Sequence, residues 1–163
     1  MWGAAQYRPD DTKSSVKFKI KNFGIPVGGR FSELKGSIAF DPANPEKTML
    51  KVSVNAATVN TDNDLRDKHL KNKDYFDVEH YPEISFESAK VSKTDKNGTY
   101  NVAGKLTIKN HTKEISFPFT AEPAGSGYLF KGVFSINRKD FEVGGSSIIS
   151  DTAEITLEVT AVK

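Results

Sequence analysis

Apolar and polar residues alternate with a period of two along most of this chain. Val16, Phe18 and Ile20 share one parity, with Lys17, Lys19 and Lys21 on the other. The same alternation runs through Leu34, Ile38 and Phe40, through Leu50, Val52, Val54 and Ala56, and through Ile84 and Phe86. It continues in Tyr100, Val102, Leu106 and Ile108, in Ile115, Phe117 and Phe119, in Tyr128, Phe130, Phe134 and Ile136, and in Ile155, Leu157 and Val159. Successive side chains of a strand point to opposite faces, so each segment is a strand with one apolar side. The pattern predicts eight strands, over 14–23, 29–41, 48–59, 82–92, 99–109, 112–122, 127–138 and 151–162.

Turn chemistry separates them. Asp41-Pro42-Ala43-Asn44-Pro45, Lys96-Asn97-Gly98 and Pro123-Ala124-Gly125-Ser126-Gly127 carry the expected Pro, Asn and Gly, and Asn110-His111 is the tightest link. Only 60–80 breaks the alternation. Asp62, Asn63 or Asp64 is suited to cap a short helix there, with Leu65 and Leu70 on its inner side. Strands without intervening helices predict an all-β fold. An eight-stranded antiparallel up-and-down barrel is preferred over a two-sheet sandwich, because closure removes the edges. In such a meander, the short links at 41–47, 93–98 and 123–126 share one end. The links at 24–28, 60–81, 110–111 and 139–150 share the other, and rigid strands that carry long loops place function there.

Composition narrows the reading. The 163 residues suit one domain, and the 11 Phe and 5 Tyr favour strands and apolar cavity walls. With 23 basic and 21 acidic residues scattered along the chain, no nucleic-acid footprint emerges. The chain has no cysteine, which excludes disulfides, thiolate metal sites and a cysteine nucleophile. Residues 1–6 (Met-Trp-Gly-Ala-Ala-Gln) read as the stub of a removed export signal or an expression remnant, leaving 7–163 as the domain.

Eight strands enclose a space that side chains fill or that holds one small ligand. Gly36, Gly104 and Gly132 fall at inward positions and are expected to leave volume inside, while Gly24, Gly28, Gly29, Gly144 and Gly145 permit opening at the mouth. Catalysis is not expected. The three histidines, His69, His80 and His111, stand at no metal-ligand or acid–base spacing. An outer-membrane barrel shares the one-sided strands, but its aromatics form girdles at the two membrane interfaces, whereas here they lie at strand centres. The interior positions Val16, Phe18, Ile20, Phe40, Val52, Phe86, Leu106, Ile108, Phe117, Phe119, Phe130, Phe134 and Ile136 are the candidate ligand wall. Asn22, Arg66, His69, Arg138 and Asp140 are the candidate polar rim, with Arg138 inward by parity.

Certain stretches are similar to a known family. Thr58-Val59-Asn60-Thr61, Arg66-Asp67-Lys68-His69-Leu70, Asp74-Tyr75-Phe76 and Tyr81-Pro82-Glu83-Ile84-Ser85-Phe86 resemble the signature of the YceI-like polyisoprenoid-binding proteins. Gly29-Arg30-Phe31 with Gly36, Gly104-Lys105-Leu106-Thr107-Ile108 with Thr112-Lys113, and Arg138-Lys139-Asp140-Phe141 extend the likeness from about Tyr7 to Val162. The resemblance implies a lipocalin-like barrel with a long isoprenoid or other lipid inside and no further cofactor. It also implies a periplasmic or secreted location and a homodimer; membrane contact, if any, is expected to be transient. Departures occur at Ser14 and Asn22, where the family often has His, and at Glu142, where it usually has Gly. All three are expected near the mouth, so the ligand's head group is expected to differ. A small outer-membrane barrel and a carrier of fatty-acid-like lipids are the alternatives.

Overall fold

The computed structural model describes residues 5–144 and 148–163. Residues 1–4 of the proposed remnant, and Gly145 of the mouth glycines, lie outside the described residues. The alternation becomes strands β1 (Ala5–Pro9), β2 (Ser15–Asn22), β3 (Ile25–Phe40) and β4 (Met49–Asn60), then helix α1 (Asp64–Leu70). Strands β5 (Glu83–Lys93), β6 (Thr99–Ile108), β7 (His111–Ala124), β8 (Gly127–Asn137) and β9 (Ile149–Val162) complete the chain. All pairings are antiparallel. Strands β2 to β9 pair in sequence, and the β2–β9 contact closes eight of them into a barrel.

The strand missing from the sequence pattern is β1, too short to show a period. It pairs with the end of β3 (Tyr7 opposite Ile38) and the end of β9 (Arg8 opposite Val162), completing the barrel wall beyond the start of β2. The apolar parity of the strands faces inward, and the Lys17, Lys19, Lys21 parity is exposed, the reverse of a membrane barrel.

Interior packing divides the barrel along its axis. At the end bearing links 41–48, 94–98 and 125–126, Ile38, Phe40, Val91, Tyr100, Val102, Phe119, Phe130 and Ala161 form a buried apolar plug. Phe40 is its hub. Its ring meets Tyr100, Tyr128 and Phe130 edge-on, with centroids 5.5, 4.9 and 5.1 Å away, the geometry that aromatic quadrupoles favour. Tyr7 of β1 adds an edge-on contact to Tyr128 at 5.7 Å. This end is closed.

Gly104 and Gly132 do not leave the volume expected of them. The ring of Phe86 covers Gly104 and that of Phe117 covers Gly132, while Gly36 lets β3 approach the Lys51 carbonyl of β4. The link expected at 24–28 is a tight hairpin at Phe23–Gly24, whose φ values of 53° and 75° are those of a two-residue turn matched to strand twist.

An apolar cavity under two interlocked loops

At the other end the barrel is hollow. A cavity of about 470 Å³ runs from the plug to the mouth. Of the wall residues expected from parity, Val16, Phe18, Ile20, Val52, Phe86, Leu106, Ile108, Phe117, Phe134 and Ile136 line it. Phe40, Phe119 and Phe130 do not. They point inward, but deeper, where neighbouring rings fill the barrel. Parity gives the face of a strand, not the depth along the axis.

Two loops frame the mouth. The first, 61–82, begins with α1, capped by Asn63, whose side-chain oxygen accepts from the Arg66 amide at 3.0 Å. Arg66 and Asp67 tie the helix back to the end of β4. The Arg66 Nε donates to Thr61 Oγ1 (2.8 Å) and its Nη2 to the Thr61 carbonyl (2.9 Å). The Asp67 carboxylate accepts from the amide and the hydroxyl of Thr61. So anchored, the helix turns Leu65, Arg66, His69 and Leu70 to the cavity. Further on, Tyr75 and Phe76 reach the mouth, with Phe76 edge-on to Phe31 at 5.3 Å. His80 sits on the outer side, its Nδ1 2.8 Å from Asp77. That hydrogen bond, aided by the charges of Asp77 and Glu79, raises its pKa above the usual 6.5.

The second loop runs from Arg138. A 3₁₀ turn over Arg138–Phe141 buries Phe141, and Val143 follows it into the same cluster with Leu106 and Ile108. Arg138 is 4% exposed, as inward parity requires, but it does not offer its donors to a ligand. Its Nε donates to the Ser150 carbonyl (2.9 Å), Nη1 to those of Val143 and Gly144 (both 3.0 Å), and Nη2 to that of Ile149 (2.9 Å). The nearby carboxylate is Asp151, 3.8 Å from Nη2. Asp140 is exposed on the outside of the turn, does not line the cavity and makes no ion pair with Arg138 among the described residues. The Arg138 guanidinium thus organises its own loop.

The two loops interlock. The Gly144 amide donates to the Asp74 carbonyl at 2.7 Å, and Lys109 from the β6–β7 turn donates to the carbonyls of Lys73 (2.9 Å) and Glu142 (2.8 Å). A buried acceptor at the mouth stays unanswered. Asn22 Oδ1 is buried in the cavity wall with no hydrogen-bond partner among the described residues. Of the three departures from the family pattern, Asn22 and Glu142 lie at the mouth. Ser14 does not: it sits at the closed end, donating to the Asp10 carbonyl at 2.6 Å.

Sequence pattern missed Val27, Phe31, Tyr75, Phe76, Phe141 and Val143 in the cavity wall. Phe31 carries the parity opposite to Ile38 because a bulge between Ser32 and Lys35 shifts the register of β3. Aromatic residues inside otherwise polar loops were the available signal for Tyr75, Phe76 and Phe141.

Residues 7–161 match the family model of the YceI-like domain. The chain belongs to the YceI-like family. It is 34% identical over 155 residues to a UPF0312 protein of Pseudomonas savastanoi pv. phaseolicola, covering 91% of this chain and 80% of that one. Among solved structures, BcnA of Burkholderia cenocepacia superposes with a TM-score of 0.89 at 28% identity, over 95% of this YceI-like chain and 99% of that one. A polyisoprenoid binding domain from Saccharophagus degradans shares the fold, with a TM-score of 0.75 at 14% identity, covering 96% and 97% of the two chains. The barrel is therefore a YceI-like barrel, and its hollow half is the candidate site.

Proposed function

We propose that this protein binds and carries a long-chain isoprenoid or similar lipid, with the tail in the barrel and the polar end at the mouth. The observation that carries this reading is the cavity itself: about 470 Å³, walled by aliphatic and aromatic side chains, closed at the bottom by the Phe40 plug. A preformed apolar pocket with few convergent polar groups suits a hydrocarbon ligand. The name of the Saccharophagus degradans domain, of the same fold, states that it binds polyisoprenoid, and that ligand class fits this wall.

The energetics are favourable. Burial contributes about 0.8 kcal/mol per CH₂, so one five-carbon unit contributes roughly 3–4 kcal/mol before the costs of ordering the chain. Tail burial dominates affinity, and the mouth governs selectivity. There Asn22 Oδ1 and the Arg66 Nη1, neither of which has a hydrogen-bond partner among the described residues, are the groups that suit a polar head.

Native mass spectrometry of the protein purified without detergent tests the reading. Adducts of a lipid mass, displaced by added polyprenol or isoprenoid quinone, are expected. A protein that carries no lipid and takes up neither compound would overturn it.

A further inference from the structure

We infer that the rim of the cavity is a membrane-docking face, in which the β2–β3 hairpin tip enters the interfacial zone of a lipid bilayer. Docking rests on the carrier reading for its purpose, but on separate observations for its substance. Among the described residues six large hydrophobic side chains are exposed, and four belong to the mouth: Phe23 (71%), Ile25 (66%), Leu65 (67%) and Ile148 (45%). Phe23, Ile25 and Ile148 adjoin one another. The Phe23 amide donates to the Ile148 carbonyl at 3.0 Å, and Ile25 pairs with Asn22 of the cavity wall. Leu65 is exposed and lines the cavity at once, so apolar surface runs from the outside of α1 into the inner wall.

Phe23 is the telling residue. It occupies a turn position with φ of 53°, where Asn or Gly is favoured and a bulky side chain is strained. The residue gains little burial from the fold in return, staying 71% exposed. A strained, exposed aromatic beside a site is the pattern of a residue kept for function, and apolar patches at a mouth mark contact surfaces.

The occupant is a bilayer surface because of what surrounds the tip. Lys21, at a bulge against β9, and Lys19 stand exposed on the outer face of β2 just behind Phe23 and Ile25. An apolar wedge backed by lysines matches acyl chains under anionic head groups. A lipid cargo leaving the cavity past Leu65 would then meet acyl chains instead of water.

Flotation of the full chain with vesicles of equal parts phosphatidylglycerol and phosphatidylcholine tests this. The wild type is expected to float. Phe23→Asn with Ile25→Thr replaces the wedge with residues the turn and strand accept, and is expected to cut the bound fraction on the order of tenfold or more. Met49→Ser, at the closed end where Met49 is 70% exposed, should change nothing. Lys21→Glu should weaken binding by about fivefold on these vesicles and leave phosphatidylcholine vesicles unaffected. Polyprenol uptake from detergent should be equal in all four proteins, so a failed carrier reading would show itself separately. Membrane docking is overturned if the wild type does not float, or if the double variant floats equally well. It is also overturned if that variant instead converts a dimer to a monomer in sedimentation, making the rim a contact between two copies.

Discussion

The ring of Phe117 lies over Gly132, so that a Cβ built on the glycine would stand 3.2 Å from Cε2 and 3.4 Å from Cδ2. Phe86 covers Gly104 in the same way, but there the added Cβ would also stand 2.5 Å from the Glu87 carbonyl oxygen. The difference separates cavity from frame. The Phe117 ring can tilt into the hollow beside Phe134, which stacks on it at 4.5 Å; a backbone carbonyl in a ladder cannot move. Gly132→Leu should therefore push side chains into the cavity, abolishing polyprenol uptake while the β spectrum persists. Gly104→Ala should lower stability by about 1–3 kcal/mol, read as a reduced Tm. Unchanged uptake by Gly132→Leu would contradict the placement of the ligand.

Gly144 holds the two mouth loops together through its bond to Asp74, at a φ of 76° that only glycine takes without strain. A Cβ there would stand 2.9 Å from the Tyr75 ring. Gly144→Ala should therefore part the loops, accelerating release of a fluorescent polyene lipid in stopped-flow measurements while leaving the barrel folded. Hydrogen exchange should rise across 61–82 and stay constant across 41–48. Equal changes in both segments would mean the bond supports the whole barrel.

Arg138 donates to four backbone carbonyls that bracket its loop. Arg138→Met keeps the apolar stem and removes every donor, leaving those carbonyls to find water. A loss of roughly 2–5 kcal/mol in unfolding free energy is expected, since each buried carbonyl left unanswered costs about 1–3 kcal/mol and some of the four regain water. Binding of a polyprenol and of a headless hydrocarbon of equal length should fall together. A selective loss for the polyprenol would instead put the guanidinium on the head group.

Much of this was legible because strand periodicity survives wherever the ladder is regular. Val16, Phe18, Ile20, Phe134 and Ile136 were placed by parity alone, and the hollow end by the lengths of its loops. Parity failed across bulges. Val91 is buried although it is out of phase with Phe86, because the β5–β6 register shifts between Ser88 and Lys90. Phe31 and Val59 were lost at the β3–β4 irregularity. Depth was hidden as well: nothing local distinguishes Phe119, in the plug, from Phe117, in the cavity wall. The Arg138 role rests on the carbonyls of Val143, Gly144, Ile149 and Ser150, which no side-chain pattern encodes.

His80 gives a pH-dependent contribution of known sign. Its pKa is raised in the fold by Asp77, so folding favours the protonated form. The stabilisation is fully present below the unfolded value near 6.5 and disappears as pH rises through the folded value. His80 is largely exposed, and the effect is small. The Tm difference between wild type and His80→Ala should shrink between about pH 5 and about pH 8. The NMR titration midpoint of His80 should fall in Asp77→Asn. A midpoint that does not move would remove Asp77 as the cause.

Asn22 sets stability against recognition. Its Oδ1 is buried at the mouth and accepts no hydrogen bond from the described residues, and an unanswered buried acceptor costs about 1–3 kcal/mol. Asn22→Leu removes that cost and extends the apolar wall of Ile20 and Val27, so the empty protein should become more stable. A lipid whose head carries a hydroxyl can donate to Oδ1, and should lose about 1–1.5 kcal/mol of binding in the variant. A polyisoprenoid hydrocarbon without a head has no such bond to lose and should bind at least as well as before. Calorimetric titration of the two ligands, alongside the Tm of the empty protein, measures all three changes. Higher stability with equal losses for both lipids would show that the introduced leucine side chain merely narrows the mouth, and that Asn22 does not read the head group.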